Sequence, residues 1–416
     1  IARFRRSWRC DRVLSLVESQ RCYPPNVLRK LTILWLSRLI SDIGTRMTDF
    51  VIALWVWEVT GSATALTLTG FFYQFPRIFT SLFAGILVDR TQRKRLMLLS
   101  EGAATISTLA LLMLHLTGQL AIWHLYAAAC INGGFEKFWQ LSYRASITLL
   151  VAPQHYTRAN RMNAAIGYGA AIVAPAMAGV LYPIVGFGGI LPINLVTFAI
   201  ALVTLNLMTI PQPLLEDSLP TKESRFVIVW QELTFGFRYL LRSPQLRALL
   251  LVTTLFWATL RLSNLIYDPM ILARTGGDAQ MLGAVSTVAG IGGIIAAVLV
   301  SLWGGPKRAV NGMLSGFIGV GVAKTVFDVG QQLSVWLPAQ FFSSLCFPLI
   351  ESSETALWMA ATPANVQGRV FAAHFLTYEL VSVPIALVAG PLSDFVFEPA
   401  MQKTGIVQTV FAPIVG

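Results

Sequence analysis

The stretch Gly85-Ile86-Leu87-Val88-Asp89-Arg90-Thr91-Gln92-Arg93-Lys94-Arg95 places one carboxylate and four cations between two long apolar runs. A short polar stretch between runs of this length is typical of a tight hairpin joining two membrane helices. Gly85 lets two helix backbones approach closely, and Asp89 can lie against the positive end of a neighbouring helix dipole. The cations stay in water and favour the cytoplasmic side. The residues that define this hairpin are Gly85, Asp89, Arg90, Arg93 and Lys94.

The composition extends this interpretation to the whole chain. Of its 416 residues, 55% are hydrophobic and 12% are charged, which is not the ordinary composition of a soluble domain. Eleven runs are long enough to cross about 30 Å of hydrocarbon as helices, which predicts an all-α polytopic membrane protein. They cover approximately 31–57, 63–88, 96–117, 120–150, 162–186, 188–210, 246–272, 281–303, 309–329, 335–360 and 370–397.

A polar stretch opening at Pro211-Gln212-Pro213 divides these runs into six and five. The segment after Pro399 is too short for another crossing, so a twelfth helix is expected to be missing and the chain to be a fragment of a longer protein. The predicted organisation is a cytoplasmic lead (1–30), a six-helix bundle (31–210), a cytoplasmic central loop (211–245), a five-helix bundle (246–397) and an outer tail (398–416).

The cations mark one face of a membrane. The net charge of +11 is concentrated in alternate loops, which favours a cytoplasmic N-terminus in the plasma (inner) membrane and argues against a nucleic-acid partner. The cations assigned to the inner side are Arg90 to Arg95, Arg158, Arg161, Lys222, Arg225, Arg238, Arg242, Arg247, Lys307, Arg308 and Arg369, and those assigned to the outer side are Arg274 and Lys403.

Ionisable side chains also occur inside the apolar runs. Arg38, Asp42, Arg46 and Asp49 are spaced by four, four and three residues and so form one stripe of a helix. At about 3 kcal/mol each, four such charges cost roughly 12 kcal/mol in lipid, so the helix must line a wet cavity or pair its charges. Runs four, seven and ten repeat the pattern with Asn132, Glu136, Lys137, Gln140 and Arg144, with Arg261, Asn264 and Asp268, and with Glu351 and Glu354.

This period of three helices predicts a central path. If four three-helix repeats surround a cavity, the first helix of each repeat faces it. The alternative for single pairs is a structural ion pair, as in Arg38–Asp42, Arg46–Asp49 or Arg261–Asp268. Isolated charges at Arg77, Glu101, Lys324 and Glu379 fit snorkelling or packing at least as well.

A short motif supports inverted repeats. Ala84-Gly85-Ile86-Leu87-Val88-Asp89 ends run two, Ala178-Gly179-Val180-Leu181-Tyr182-Pro183 ends run five, and Ala389-Gly390-Pro391-Leu392-Ser393-Asp394 ends run eleven. These are the middle helices of successive triplets. The predicted topology places the first motif at the inner face and the other two at the outer face.

The hairpin, of the form Gly85-x-x-x-Asp89-Arg90-x-x-Arg93-Lys94, resembles the loop between helices two and three of major facilitator superfamily transporters. Ala170-x-x-x-Ala174-Pro175-x-x-Ala178-Gly179, preceded by Arg158-Ala-Asn160, is similar to the antiporter motif of drug exporters with three glycines replaced by alanine. Gln367-Gly-Arg369-Val-Phe371 is similar to the subfamily of enterobactin and macrolide exporters.

The resemblance implies alternating access by two helical bundles, usually driven by protons. It implies that the hairpin residues Gly85, Asp89, Arg90, Arg93 and Lys94 form a conformational-switch loop and that Pro175 and Gly179 belong to the helix-five motif. Asp49 and Glu136 are the first candidates for proton carriers, and Asp42, Asp268, Glu351 and Glu354 follow with Arg46, Arg144 and Arg261 as partners. Aromatic residues on the same helices suit a bulky amphipathic substrate. We therefore expect a monomeric, proton-coupled exporter of a small molecule, embedded in lipid and without cofactor or metal.

Two alternatives remain at this point. The chain can be a membrane scaffold or sensor built on a transporter fold, or an inactive truncated transporter. An enzyme is not expected, because the sequence has no His-Glu-x-x-His motif, nucleophile elbow or metal-spaced cluster.

The topology predicts that cysteines introduced at Gln92 and Ser218 will both resist a membrane-impermeant thiol reagent added to intact cells, because both positions face the cytoplasm. Permeabilised cells provide the control, in which both sites should react. Labelling of both sites in intact cells would reverse the orientation.

Overall fold

The computed structural model describes residues 27–150, 156–208, 225–363 and 366–401, and within them all regular structure is helical. The helices are α1 (Val27–Thr60), α2 (Ala63–Arg90), α3 (Arg93–Leu116), α4 (Ile122–Leu150), α5 (Tyr156–Leu207), α6 (Arg225–Arg242), α7 (Pro244–Thr275), α8 (Ala279–Trp303), α9 (Ala309–Val329), α10 (Leu333–Ala361) and α11 (Gln367–Leu392). A π-helical segment (Ser393–Phe397) and a last helical turn, α12 (Glu398–Met401), follow.

Helix α5 consists of two arms. Its 52 residues contain a non-helical position at Gly186, with φ 64° and ψ −172°. A residue with a β-carbon rarely adopts this backbone conformation, so glycine lets the chain reverse here without a longer loop. The two arms account for predicted runs five and six.

Successive helices alternate in direction and define two ends of the molecule. We call the end that holds the α1–α2 turn (residues 60–63) the Gly61 face, and the end that holds the α2–α3 turn (residues 90–93) the hairpin face. Arg274, at the end of α7, donates to the carbonyl oxygen of Gly330 (2.7 Å) at the Gly61 face. Lys94 donates to the carbonyl oxygen of Asn206 (2.6 Å) at the hairpin face.

The helices form two bundles, α1 to α5 and α7 to α11. Seven helical stretches among the described residues are long and apolar enough to cross a membrane, and one of them, Ala165–Leu207, contains the bend of α5. The predicted all-α, two-bundle architecture is confirmed, with six long helical segments in the first bundle, counting the two arms of α5, and five in the second. A missing twelfth helix concerns the chain after residue 401, which lies outside the described residues, as do residues 1–26 of the predicted lead.

The predicted central loop is partly helical. Helix α6 is amphipathic and packs beside α7 and α11, where Leu240 joins Leu246 and Val370 in a buried cluster. A β-carbon at Gly236 would lie 3.0 Å from Ala373 Cβ and would press on the carbonyl oxygen of Arg369, so the two helices are in close contact. Residues 209–224 lie outside the described residues.

The hydrophobic core is shared at one end and divided at the other. Toward the Gly61 face, a single cluster joins Val51 and Ala178 of the first bundle to Leu272 and Val285 of the second. Toward the hairpin face, Leu34 and Tyr143 belong to a cluster of the first bundle, whereas Leu246 and Trp358 belong to a separate cluster of the second. The bundles therefore bury apolar surface against each other mainly at the Gly61 face.

Small residues bring α5 and α8 together at this junction. A β-carbon at Gly179 would lie 2.9 Å from the carbonyl oxygen of Ala279, and one at Gly283 would lie 2.7 Å from the carbonyl oxygen of Pro175. Both predicted helix-five residues, Pro175 and Gly179, thus lie in the contact between the bundles. Only glycine lets the two backbones approach this closely.

We expect Gly283→Ala to push α8 away from α5 and to weaken the Gly61-face contact by about 1–3 kcal/mol, the usual cost of overpacking. The control is Gly321→Ala in α9, where a β-carbon meets no atom within 4 Å. Double electron–electron resonance between spin labels on Leu116 and Val329, exposed at the Gly61 face of the two bundles, measures the separation. An unchanged distance distribution in Gly283→Ala would contradict this packing role.

Candidate functional site

The charged stripe of α1 lines a cavity within the first bundle. The cavity has a volume of about 490 Å³ and is walled by α1, α2, α3, α4 and the second arm of α5. Arg38, Asp42, Arg46 and Asp49 all face it. Because lipid does not solvate such groups, placing them along a polar cavity relieves much of the cost of their insertion.

Most of these charged side chains form ion pairs with one another or with Glu101. Asp42 lies between two cations, with its Oδ1 3.3 Å from Arg38 Nη2 and its Oδ2 3.1 Å from Arg46 Nε. Arg38 also lies 3.8 Å from Glu101 Oε2, and the Ser41 hydroxyl donates to Glu101 Oε1 at 2.5 Å. This ladder ties α1 to α3. The Arg46–Asp49 pair considered from the sequence does not form among the described residues, because Arg46 pairs with Asp42.

A second polar cluster connects α2 and α4 at the same cavity. The Tyr73 hydroxyl donates to Glu136 Oε2 at 2.5 Å, and Arg77 Nε lies 3.5 Å from the same oxygen. Asp49 stands between the two clusters along the cavity wall. Within the described residues it has neither a hydrogen bond nor an ion-pair partner, and its side chain is exposed to the cavity.

The second bundle has its own cavity, of about 560 Å³, formed by α7, α10 and α11. It contains Glu351 and Glu354 together with Trp257, Trp358 and His374. Trp257 Nε1 donates to Glu354 Oε2 at 2.8 Å, and His374 Nε2 lies 3.6 Å from Glu354 Oε1. Glu351 is exposed and has no hydrogen bond or ion pair with the residues that the structure describes.

The other predicted path residues line neither of these cavities. They are Lys137, Gln140, Arg144, Arg261, Asn264 and Asp268. Lys137 Nζ lies 3.5 Å from Gln140 Oε1 and 4.9 Å from the centroid of the Phe375 ring, so it reaches across to the second bundle. Arg144 and Asn264 are exposed. Arg261 and Asp268 form no ion pair with each other in the described part of the chain.

Sequence reasoning missed Arg77, Glu101 and Tyr73. Arg77 and Glu101 stand alone in their helices, and their partners lie on other helices far along the sequence. The sequence did contain one signal for these two residues. An isolated charge inside a membrane helix needs a partner, and the first and fourth runs contain several possible partners. The phenol of Tyr73 has no such signal.

The switch loop can be described only in part. Gly85, Asp89 and Arg90 lie in the last turns of α2, where the structure describes the backbone but not the side chains. Arg93 donates to the carbonyl oxygen of Ala145 at 2.6 Å, and Lys94 donates to the carbonyl oxygens of Asn206 and Met208 at 2.6 and 2.9 Å. These contacts place cations at the carboxyl ends of α4 and α5, which the helix dipole favours, and they stay within the first bundle.

The third copy of the repeated motif, residues 389–394, forms hydrogen bonds to the other bundle through Asp394. Asp394 accepts three hydrogen bonds at the amino end of α2: from the Ser62 hydroxyl (2.6 Å) and from the backbone N–H groups of Ala63 (3.0 Å) and Thr64 (2.9 Å). A β-carbon at Gly390 would lie 2.9 Å from the carbonyl oxygen of Ala63. A carboxylate of the second bundle thus caps a helix of the first, where unpaired N–H groups and the dipole favour negative charge.

Comparison with known proteins agrees with this architecture. The Major Facilitator Superfamily profile matches residues 34–386. The chain is similar to macrolide efflux protein A of Streptococcus pyogenes, with 24% identity over 369 residues, covering 87% of this chain and 89% of that protein. It is also similar to the enterobactin exporter EntS of Salmonella typhimurium, with 22% identity over 353 residues, covering 81% and 79%.

Two solved structures share the fold. A bacterial homologue of the iron transporter ferroportin, in an inward-facing state, matches with a TM-score of 0.61 and 18% identity, covering 89% of this chain and 98% of that one. A bacterial homologue of the human lysosomal transporter Spinster, inward-facing and unoccupied, matches with a TM-score of 0.67 and 14% identity, covering 94% and 87%.

We expect Asp394→Ala to widen the separation of the bundles at the Gly61 face, because it removes a cap that joins them. The matched control is Asp278→Ala: Asp278 accepts from the backbone N–H groups of Gln280 (2.8 Å) and Met281 (3.1 Å) at the start of its own helix α8. Asp278→Ala should cost about 1 kcal/mol of capping energy, and Asp394→Ala should cost more, because it removes three charge-assisted hydrogen bonds of about 1.5–3 kcal/mol each. Only Asp394→Ala should broaden the distance distribution between labels on Leu116 and Val329, and equal behaviour of the two variants would contradict the cross-bundle role.

Proposed function

The chain belongs to the Major Facilitator Superfamily and is a multi-pass membrane transporter rather than an enzyme, and we propose that it exports a bulky amphipathic small molecule in exchange for protons. The similarity to macrolide efflux protein A and to an enterobactin exporter favours export of such a molecule. We further propose that the protein acts as a monomer in the plasma (inner) membrane, with its N-terminus in the cytoplasm.

The observation that carries the proton-coupling proposal is the position of Asp49. It is the carboxylate of the α1 stripe that stands outside the ion pairs of the first cavity. Protonating Asp42 or Glu136 weakens a bond to arginine, whereas protonating Asp49 breaks no ion pair. A group of this kind can gain and lose a proton at the lowest cost to its surroundings.

The division of the hydrophobic core supports alternating access. With a cytoplasmic N-terminus, the Gly61 face is the outer face and the hairpin face is the inner one. The bundles share a core and the Asp394 cap at the Gly61 face, and their cores are separate at the hairpin face. This arrangement corresponds to a state that is closed to the outside and accessible from the cytoplasm.

A cycle follows from these positions. In the arrangement open to the cytoplasm, Asp49 is ionised and the substrate enters. After the bundles rock, the path faces outward, the substrate leaves and Asp49 takes up a proton from outside. The bundles then rock back, and Asp49 releases this proton to the cytoplasm. Glu136 is the second carrier, because it lines the same cavity as Asp49, and opening or closing that cavity would change the hydration of its carboxylate and so the stability of its charge.

We expect Asp49→Asn and Glu136→Gln each to reduce proton-driven uphill transport at least tenfold while leaving the protein folded. The neutral side chains keep the shape of the site but remove the titrating group. The control is Glu398→Gln, which removes an exposed carboxylate outside both cavities.

The measurement uses purified chain in liposomes with an imposed pH gradient. Exchange of labelled for unlabelled substrate without a gradient should persist in both variants, since exchange needs the binding site but no net proton movement. Normal pH-dependent uphill transport in both variants would exclude these two carboxylates as carriers. Substrate binding without any transport by the unaltered chain would favour a scaffold or sensor instead.

A further inference from the structure

The cavity of the second bundle differs in chemistry from that of the first. Its walls are largely aromatic, with Trp257 on α7, Trp358 on α10, and Phe371 and Tyr378 on α11. A volume of about 560 Å³ is within the usual range for small-molecule sites, roughly 300–1,000 Å³. Such a cavity can take up most of a bulky organic molecule.

The aromatic rings are held in place by one another. Trp257 stacks with Phe347 at 6.2 Å between ring centroids and meets Tyr378 edge-on at 6.5 Å. Trp358 lies 4.3 Å from the His374 ring. The hydrogen bond from Trp257 to Glu354 fixes the indole further. Fixed aromatic faces carry negative partial charge and attract cations that have been stripped of water.

Charge distribution selects the sign of the occupant. Two carboxylates, Glu351 and Glu354, line the cavity, and no lysine or arginine is among the lining residues that the structure describes. Glu354 is buried and engaged by Trp257 and His374, whereas Glu351 is exposed and has no hydrogen bond or ion pair among the described residues. An amphipathic cation would supply the partner that this carboxylate lacks.

Two cations of the protein lie near this cavity without lining it: Arg261, one helical turn after Trp257 on α7, and Lys137. Lys137 of the first bundle lies 4.9 Å from the centroid of the Phe375 ring. That ring is therefore already engaged by a protein cation, which leaves Glu351 and the Trp257 side as the place for a ligand's charge. In the first cavity the carboxylates of Asp42, Glu101 and Glu136 are already paired with arginines, and the remaining one, Asp49, is the group to which we assign proton coupling.

We propose that the cavity of the second bundle is the substrate site and that it takes lipophilic organic cations, with the positive centre beside Glu351 and the apolar body against the aromatic walls. This inference rests on the proposed function, since it names the substrate class of that transporter. It divides the work between the bundles, with proton coupling in the first and substrate recognition in the second.

The test uses two probes of the same size and shape but opposite charge, tetraphenylphosphonium and tetraphenylborate. Binding to the purified full chain is measured by isothermal titration calorimetry without a pH gradient. The unaltered chain should bind the phosphonium more tightly than the borate. Glu351→Gln should weaken phosphonium binding about tenfold, which corresponds to about 1.4 kcal/mol, and should leave borate binding unchanged or tighter.

Two further variants make the result specific. Glu398→Gln removes the same charge outside the cavity and should leave both affinities unchanged. Trp257→Leu removes an aromatic wall and should weaken phosphonium binding more than borate binding, because only the cation gains from the ring face. Size-exclusion chromatography checks that each variant is folded, and Glu351→Asp, which keeps the charge, should retain most of the affinity for the phosphonium.

Equal or tighter binding of the borate by the unaltered chain, or unchanged phosphonium affinity in Glu351→Gln, would overturn the inference. Uphill export of a neutral or anionic amphiphile by a chain that does not bind the phosphonium would also overturn it, while leaving the proposed transport function intact. Glu351-dependent phosphonium binding by a chain that transports nothing would support the site and refute the transport function.

Discussion

The contact between the two bundles at the Gly61 face is the constraint on which the rest of the structure depends. Without it, the molecule would be two separate helical bundles in lipid, because apolar side chains gain little from one another in a solvent that is equally apolar. The contact consists of backbones brought close by Gly179, Gly283 and Gly390 and of a carboxylate, Asp394, on a helix terminus. Toward the hairpin face, the two bundles have separate hydrophobic cores.

The arrangement of charges inside the first bundle also follows from the apolar lipid that surrounds it. Every ionised group there has to be hydrated, paired or neutralised. The structure does this by joining Arg38, Asp42, Arg46 and Glu101 in one ladder and Glu136 with Tyr73 and Arg77 in another. These pairs connect neighbouring helices, so they stabilise the bundle as well as compensating charge. A functional reading of any one of them depends on whether its partner moves when the bundles rock.

Local patterns predicted the fold well. Lengths of apolar runs, charge spacing and the hairpin motif indicated the membrane helices, their alternation and the superfamily. Pairing was harder to predict, because Arg46 can reach a carboxylate four residues before it or three after it, and the ordinary geometry of one helix allows both. Partners such as Arg77 and Glu136 are on different helices, so only the three-dimensional packing of α2 on α4 brings them together. The aromatic cavity arises likewise from α7, α10 and α11 combined.

The strength of the Gly61-face contact has to be limited if the transporter is to turn over. Moving a two-state equilibrium from 1:99 to 99:1 needs a differential of about 5.5 kcal/mol. A charge-assisted hydrogen bond contributes on the order of 1.5–3 kcal/mol, so the three bonds to Asp394 cannot be opposed by a single weak interaction elsewhere. An inverted repeat solves this by placing a similar motif, ending in Asp89, at the opposite face. If Asp89 caps a helix of the second bundle when the hairpin face closes, the contacts at the two ends nearly cancel, and a small difference in ligand affinity between the two states is then enough to shift the equilibrium.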